Sequence, residues 1–229
     1  MAIAVKNITK EYKRGKRSFK AVDDVSLGLH PGDFIVIIGK SGSGKSTLLN
    51  IIAGLTYPTD GRVEADESNI FTLTDKQISR YRNQTIGYIP QGHSTLADLN
   101  VVDNVRLPFH LNGEKRISAD KAEELLTRVG IHALAKNFPK HLSGGELKRV
   151  AIARALINDP EAIIADEPTS DLDKQTTAEV LTLLRSVAEG GKAVLMVTHD
   201  LDAVKYATRS FVMESGVLTE QKKEAVLYV

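Results

Sequence analysis

The segment that most constrains this chain is the glycine- and serine-rich run "GKSGSGKST", which extends from Gly39 to Thr47. The apolar run "DFIVIIG" leads into it and is typical of a buried strand, and "GKSTLLNIIAGL" continues from it with the apolar spacing of a helix. The pattern G-x-x-x-x-G-K-[ST] between a strand and a helix is typical of a loop whose backbone N–H groups surround phosphate oxygens. The start of the helix adds about half a positive charge. The flanking strand and helix argue against a glycine-rich turn that matches by accident.

This phosphate-binding loop gives its residues distinct roles. We expect Lys45 to reach the β- and γ-phosphates of a nucleoside triphosphate, and the hydroxyl of Ser46 to bind Mg²⁺. The rest of the loop would surround the phosphates: Gly39, Lys40, Ser41, Gly42, Ser43, Gly44 and Thr47. The loop alone predicts a nucleotide site but does not specify the reaction.

A second run, "EAIIADE", places two carboxylates at the end of a short apolar segment. Asp166 ends a predicted buried strand, which is where a second Mg²⁺-organising carboxylate lies in phosphate-loop proteins. Glu167 follows at once and could activate a water aligned on the γ-phosphate. The alternative is a pair of acids that only caps a buried strand.

The run "HLSGGELKRVAIARAL" predicts a helix with an unusual first turn. Ser143 and Glu146 have the spacing of a capping box, so we expect the helix to begin at Ser143. Gly144 and Gly145 lie in the first turn, where each glycine costs roughly 1 kcal/mol relative to alanine. Bare backbone at the front of this helix therefore needs an explanation.

Composition excludes several classes of protein. The 229 residues include no cysteine, which excludes a disulfide scaffold and thiolate chemistry and fits the cytosol. A net charge of +1 gives no general attraction to nucleic acid or acidic lipid. No apolar run approaches the roughly 18 to 20 residues of a transmembrane helix, and the first residues lack the apolar region of a signal peptide. We expect any membrane role to come through a partner.

Predicted strands and helices alternate at both ends of the chain, with a mainly helical block between about residues 94 and 159. The strand patterns are "IAVKNITKEY", "AVDDVSLGLH", "DFIVIIG", "TIGYIPQ", "EAIIADE" and "KAVLMVTHD", followed by a hairpin "SFVMESGVLTE" that turns at Ser215-Gly216. A late helix has Asp173 as its N-cap and Gly190 as its stop. This alternation predicts an α/β fold with a parallel-rich core sheet and a helical insertion.

The motifs together resemble those of the ATP-binding-cassette (ABC) ATPases over essentially the whole chain. The phosphate loop is followed by Gln91, "LSGGE" at 142–146, "AIIADE" at 162–167, "SDLD" at 170–173 and His199, in the family's order. "LSGG" is the family's signature and is highly specific downstream of a phosphate loop. Within the superfamily, "GKSGSGKSTLLNIIAGLTYPTDGRV" and "NVRLP" look most like the MacB/LolD/FtsE-like group of macrolide export and lipoprotein release.

The resemblance implies a domain plan. Residues 1–229 would form one ABC ATPase domain of the phosphate-loop NTPase type. Residues 1–91 and 160–229 would make a RecA-like core with an antiparallel β-subdomain. Residues 92–159 would make the helical subdomain that carries the signature.

The resemblance also implies ATP, Mg²⁺ and a head-to-tail homodimer. Each ATP would lie between one copy's phosphate loop and the other copy's signature helix. Ser143, Gly144, Gly145 and Glu146 would then contact the partner's ATP, and bare glycine backbone would let the helix tip approach the γ-phosphate closely. The alternative is a capped helix with flexible glycines.

Three further residues take roles from the resemblance. Gln91 would contact Mg²⁺ and the attacking water, and His199 would hold the γ-phosphate and orient Glu167. Tyr12 stands where the family stacks an aromatic ring on adenine. The alternatives are a structural histidine and an exposed strand tyrosine. Asp173 would contact the facing subunit or only cap its own helix.

The family's partner is an integral membrane permease, which we expect to dock near residues 91–110. In that region Leu96, Leu99, Val101 and Val102 look exposed in the sequence, with packing under the helical block as the alternative. This partner would place the chain on the cytoplasmic side of the cell membrane. The competing function is a soluble ABC ATPase that acts on ribosomes or DNA, although we expect no nucleic-acid binding.

Some features depart from the family's pattern or stay without a role. Asp171 replaces a small residue, Leu147 and Lys148 stand where glutamine and arginine are frequent, and "GHSTLADLN" with His93 departs after Gln91. The basic run 13–20 is a solvated hairpin loop, a frame for the nucleotide beside Tyr12, or a contact to anionic lipid. The apolar "AVLYV" at 225–229 is expected to pack against a surface that the sequence does not identify.

Overall fold

The central sheet has six strands in the order β10-β9-β3-β8-β7-β6. In the computed structural model, which describes residues 3–15, 17–92, 94–111 and 119–221, these strands are β3 (Phe34–Ile38), β6 (Ile86–Ile89), β7 (Ala162–Asp166), β8 (Ala193–Thr198), β9 (Arg209–Glu214) and β10 (Val217–Gln221). All neighbours pair in parallel except β9 with β10, which form the hairpin predicted at Ser215-Gly216. The parallel-rich core sheet is therefore confirmed.

A second, antiparallel sheet has the order β2-β1-β4-β5. Its strands are β1 (Ile3–Arg14), β2 (Arg17–Leu29), β4 (Asp60–Ala65) and β5 (Ser68–Asn69). β1 and β2 extend farther than the sequence predicted, because Tyr12 pairs with Phe19 and Lys13 with Ser18 in one continuous ladder. The basic run 13–20 is thus a hairpin, as predicted, but its described residues are mostly strand rather than loop.

Six α-helices occur in the described residues: α1 (Lys45–Ile52), α2 (Asp75–Arg80), α3 (Val101–Leu111), α4 (Ala119–Arg128), α5 (Gly144–Leu156) and α6 (Lys174–Glu189). Three N-terminal caps explain where helices begin. Thr74 and Gln77 form a capping box at α2, Ser143 and Glu146 form the predicted one at α5, and Asp173 caps α6 as predicted.

Two apolar clusters cover the faces of the core sheet. On one face, α1 packs with Ile35, Ile37 and Leu195 of the sheet and with Ile3 and Val5 of the antiparallel sheet. On the other face, α3, α4, α5 and α6 share a single cluster with the alternate residues of the same strands. Alternate residues of a strand point to opposite faces, so strands buried on both sides are apolar throughout. This layering holds α1, α5 and α6 rigidly against the strands that carry the site.

Two of the residues predicted to look exposed near the docking region are instead core residues. Val101 is 0% exposed and Val102 is 9% exposed, since both begin α3 and pack under the helical block. Leu96 is 48% exposed, and Leu99 is half-buried. The loop between them is fixed by buried Asn104, whose side chain bonds to backbone atoms of Leu96, Leu99 and Asn100.

Some sequence features fall outside the described residues, namely His93, Lys16 and the "AVLYV" of 225–229. None of the helices within the described ranges combines the length and apolar character that crossing a membrane requires. The division into residues 1–91 with 160–229 and residues 92–159 stays a prediction.

Candidate functional site

The carboxyl ends of the parallel strands bring the predicted motifs together. β3 leads into the phosphate loop, β6 is followed by Gln91, β7 ends at Asp166, and β8 is followed by His199. The register sets Ile38 beside Thr198, and Asp166 beside Val197. Ligands of open α/β sheets bind at this edge, so the pairing alone makes it the candidate site.

A cavity of about 490 Å³ opens at this edge. It is lined by Tyr12, Phe19, Ala21, Ser41, Gly42, Gly44, Lys45, Ser46, Thr47, Gln91, Glu167 and His199. The cavity therefore brings together residues that lie far apart in the chain, namely the phosphate loop, Gln91, Glu167, His199 and Tyr12. Ser143, Gly144, Gly145 and Glu146 do not line it.

The phosphate loop is held between both sheets. Gly44 has φ 109°, a left-handed conformation, and a Cβ there would lie 1.9 Å from the carbonyl oxygen of Ala21 in β2. A Cβ on Gly39 would lie 2.4 Å from the carbonyl oxygen of Met213 in β9. These two glycines are therefore required by the protein's own packing as well as by the approach of a phosphate.

Lys45 carries its charge inside this loop. The residue is 6% exposed, and its ammonium donates to the carbonyl oxygens of Gly39 at 2.6 Å and Lys40 at 3.1 Å. A lysine is rarely this buried unless its charge is needed or paired. Its position gives the loop a fixed cation at its centre.

Asp166 and Ser46 fit a Mg²⁺ ion that also binds phosphate oxygens. Asp166 is 5% exposed, and its Oδ1 is buried without a hydrogen-bond partner. Burial raises the pKa of Asp166, while a hydrogen bond from Ser46 and the charge of Lys45 lower it. The described residues hold no group of three or more His, Cys, Asp or Glu that could ligate a metal without help. Since Mg²⁺ usually takes one or two protein ligands together with phosphates and waters, this small donor set suits it.

Glu167 and His199 form a hydrogen-bonded pair at the cavity wall. Nδ1 of His199 lies 3.0 Å from Oε2 of Glu167, and the side chains are 70% and 10% exposed. With Glu167 ionised, the ring proton lies on Nδ1 and forms a hydrogen bond to Oε2, which leaves Nε2 available for another partner. Glu167 has φ 48°, an uncommon conformation for a non-glycine residue that occurs at functional sites. Both residues also line a neighbouring cavity of about 850 Å³ beside the start of α6.

Tyr12 lines the cavity next to Phe19, an aromatic residue that the sequence reasoning missed. Their ring centroids are 6.0 Å apart, and the two are 39% and 51% exposed. The ammonium of Lys10 lies 5.2 Å from the centroid of the Tyr12 ring. The strand pairing of Tyr12 with Phe19 brings the two rings together, and only knowledge of that register could have predicted Phe19.

The glycines at the front of α5 have a contact within their own chain. A Cβ on Gly145 would lie 2.4 Å from Cγ2 of Thr176 in α6, and one on Gly144 would lie 3.4 Å from Leu172. The carboxylate of Glu146 accepts from the N–H of Ser143 at 2.7 Å and from its hydroxyl at 2.8 Å. Packing against α6 is therefore one reason for the bare backbone at Gly145, and a sequence alone does not show it.

Comparisons with known proteins identify the family of this chain. The family model described as ABC transporter matches residues 22–170. The uncharacterized ABC transporter ATP-binding protein YvrO of Bacillus subtilis is 39% identical over 217 residues, covering 94% of this chain and 95% of its own length. The lipoprotein-releasing system ATP-binding protein LolD of Alcanivorax borkumensis is 37% identical, covering 94% and 96%.

A longer relative and a solved structure extend the comparison. The macrolide export ATP-binding/permease protein MacB of Chlorobaculum tepidum is 38% identical over 222 residues, which are 97% of this chain but 34% of MacB. The chain thus spans about a third of that relative. The dimeric ATP-binding cassette MJ0796, solved in a post-hydrolysis state with ADP and Pi, superposes with a TM-score of 0.88 at 37% identity, covering 96% and 98%.

The chain belongs to the ABC transporter family. It is an ABC ATPase whose cassette is similar to those of MacB, LolD and YvrO, so the fold and the family predicted from the motifs are confirmed. The competing reading, a soluble ABC ATPase of ribosomes or DNA, is not favoured by these relatives.

The packing of Gly145 gives a prediction that uses Thr176 as its internal control. Gly145→Ala should destabilise the protein by about 1–3 kcal/mol, because overpacking forces the methyl group of Thr176 to move. In a Thr176→Ser background that methyl group is absent, and the same change should be neutral or stabilising by up to about 1 kcal/mol, since alanine is the better helix former. Urea unfolding of the wild type, the two single variants and the double variant measures both steps. Equal costs in both backgrounds would contradict the proposed contact.

Proposed function

We propose that two copies of this chain bind two ATP molecules head to tail and that hydrolysis drives a separate membrane permease. The observation that supports a site shared between two copies is that the signature residues lie apart from the cavity of their own chain. One cavity gathers the phosphate loop, Gln91, Glu167 and His199, whereas Ser143 to Glu146 lie outside it. A second copy facing the cavity would supply its own residues 143–146. The solved MJ0796 cassette is dimeric.

Within one half of this site, the chain's own residues hold ATP along the cavity. Tyr12, with Phe19 at its edge, offers an aromatic face to adenine, and such stacking is worth about 1–3 kcal/mol per base in nucleic-acid complexes. The N–H groups of the phosphate loop and the ammonium of Lys45 receive the phosphates. Ser46 and Oδ1 of Asp166 would hold Mg²⁺, which when bound neutralises phosphate charge.

Hydrolysis needs a water placed opposite the leaving ADP and a group to take its proton. Glu167 is the base, because its carboxylate reaches the cavity while its backbone is fixed at the end of β7. His199 donates from Nδ1 to this carboxylate and presents its other ring nitrogen toward the γ-phosphate. Gln91 orients the water with its amide oxygen. The water oxygen bonds to phosphorus, the bond to the ADP oxygen breaks, and the proton passes to Glu167.

The signature helix completes this site from the other subunit. Ser143 is exposed at the N-terminus of α5, and the helix dipole there favours an anion. Ser143, the backbone of Gly144 and Gly145, and Glu146 would contact the partner's ATP. When the dimer closes on nucleotide, the phosphate loop of each copy meets the signature helix of the other, and both sites are completed.

The membrane partner is inferred from the relatives and from one exposed residue. Two relatives carry the names macrolide export ATP-binding/permease protein and lipoprotein-releasing system ATP-binding protein. By analogy this chain works at the cytoplasmic face of a membrane through a permease bound near residues 91–110. Leu96 is 48% exposed and lies in the loop that follows Gln91. A permease helix seated on Leu96 would therefore act close to the catalytic water.

The assignment of Glu167 as the base gives a prediction about turnover. Glu167→Gln should retain ATP affinity but lose about 10²–10⁴-fold in turnover, since the amide cannot accept the proton. Stalled hydrolysis should make the ATP-bound dimer accumulate, which size-exclusion chromatography with ATP and Mg²⁺ detects. A monomer at saturating ATP, or near-normal turnover, would rule out this assignment.

The shared site predicts complementation between two inactive variants. Lys45→Ala should weaken nucleotide binding at its own loop, and Ser143→Arg should block hydrolysis while leaving nucleotide binding to the isolated subunit nearly intact. Mixing them should restore part of the ATPase activity, because one site of the mixed dimer pairs an intact loop with an intact signature. Each variant alone, at the same total concentration, is the control. If the mixture recovers no ATPase activity, the two sites of the dimer do not work independently in the proposed arrangement.

The docking prediction separates the permease from the ATPase. Leu96→Asp should leave folding and ATP hydrolysis of the isolated subunit unchanged, while abolishing copurification with its permease. Ala133→Asp, which adds an acid at another exposed position of the helical block, is the matched control and should copurify normally. If both variants copurify equally, the permease binds elsewhere.

A further inference from the structure

Lys148 is a buried lysine on the signature helix that the mechanism above does not use. It is 3% exposed and lies in α5. Besides Lys45 in the phosphate loop, it is the only lysine in the buried part of the described chain. A buried ammonium is costly unless oxygens surround it, so its surroundings carry information.

Three oxygens surround the ammonium, and each lies 3.5 Å from Nζ. They are the carbonyl oxygen of Gly92, the carbonyl oxygen of Glu167 and the hydroxyl of Ser170. These atoms belong to the loop after Gln91, to the residue after β7, and to the loop between β7 and α6. One side chain of α5 therefore touches two loops, the loop after Gln91 and the loop between β7 and α6 that begins with Glu167.

The distances describe a cage rather than a single strong bond. Ordinary N–H···O hydrogen bonds measure about 2.7–3.2 Å, so at 3.5 Å the ammonium makes three long contacts of equal length and no short one. Burial lowers the pKa of Lys148, while the charges of Asp171 and Glu167 raise it. A shift of α5 would therefore change the contacts of Lys148 to both loops.

The backbone of Glu167 is the most strongly held part of this cage. Its carbonyl oxygen accepts from the N–H of Ser170 at 3.2 Å and from the hydroxyl of Ser170 at 3.0 Å, in addition to facing Lys148. This is the residue with φ 48°. A left-handed glutamate needs surroundings that fix it, and Lys148 supplies the only contact to this carbonyl from the signature helix among those described.

Arg154 shows that α5 holds the same loop at a second point. Its Nη1 donates to the carbonyl oxygen of Ser94 at 2.6 Å, and its other terminal nitrogen to the hydroxyl of Ser94. The signature helix thus contacts the loop after Gln91 through both Gly92 and Ser94. Lys148 adds the connection from this pair of elements to the catalytic glutamate.

We propose that Lys148 is a positioning residue that ties the signature helix to the backbone of Glu167 and to the loop after Gln91. Through it, the orientation of α5, which serves the partner's ATP, sets the placement of the base at the chain's own ATP. The inference rests on the proposed role of Glu167. It goes beyond that role by assigning a communication path between the two sites of a dimer to one lysine.

The test is a split between kcat and the KM for ATP. Lys148→Met keeps the length and apolar stem but removes the donors, so kcat should fall about 10-fold or more while the KM stays within about twofold. Lys148→Arg, which keeps a cation and several donors, should retain most of the activity. Lys192→Met is the matched control, because that lysine donates to the carbonyl oxygen of Pro160 at the far end of the sheet; it should not change kcat.

A second arm tests whether Lys148 acts through Glu167. In a Glu167→Gln background, Lys148→Met should lower the residual turnover by less than about twofold. Any of three results would overturn the proposal. Lys148→Met could have a normal kcat, Lys148→Arg could lose as much kcat as Lys148→Met, or Lys148→Met could lower the turnover of Glu167→Gln by its full factor. If Lys148→Met does not fold, Lys148→Gln takes its place, with an expected loss of about 3-fold to 10-fold and the same criteria. Failure of the Glu167 role is seen separately, as turnover that survives Glu167→Gln alone.

Discussion

The rest of this structure depends on the parallel pairing of β3, β8, β7 and β6. Because these strands run in the same direction and pair in a fixed register, their carboxyl ends meet along one edge. That edge places the phosphate loop, Glu167 and His199 around one cavity without any further constraint on the chain. The antiparallel sheet adds Tyr12 to the cavity and packs against Gly44. The helical layer adds α5, whose Lys148 contacts the backbone of Glu167.

The glycines of the site satisfy two demands at once. Gly44 must accommodate the backbone of β2, and Gly145 must accommodate Thr176 of α6. Both also lie at a helix N-terminus, where bare backbone suits a phosphate. A substitution at either position would therefore disturb the fold and the site together. At Gly145, the compensating change Thr176→Ser separates the two effects.

Much of the site could be predicted because its motifs are local. The phosphate loop, the capping box of Ser143 and the cap of Asp173 each need only a few adjacent residues. β4 and α2 were missed, although "DGRVEA" and the capping box of Thr74 and Gln77 offered short signals. The burial of Val101 and Val102, the pairing of Phe19 with Tyr12 and the cage around Lys148 could not be predicted, since each depends on elements that meet only in the fold. The packing of Gly145 against Thr176 also appears only in the fold, and its contact with the partner's ATP stays a prediction.

The central claim is that the phosphate loop of one copy faces the signature helix of another, and a crosslink tests it most directly. The natural chain has no cysteine, so Ser41→Cys in one tagged chain and Ser143→Cys in a second tagged chain provide a single reactive thiol each. Both positions are exposed. With ATP, Mg²⁺, Glu167→Gln in both chains and a short bifunctional maleimide, the account predicts an ATP-dependent product that carries both tags. Efficient crosslinking of two Ser143→Cys chains to each other, with none between the differently tagged chains, would contradict it.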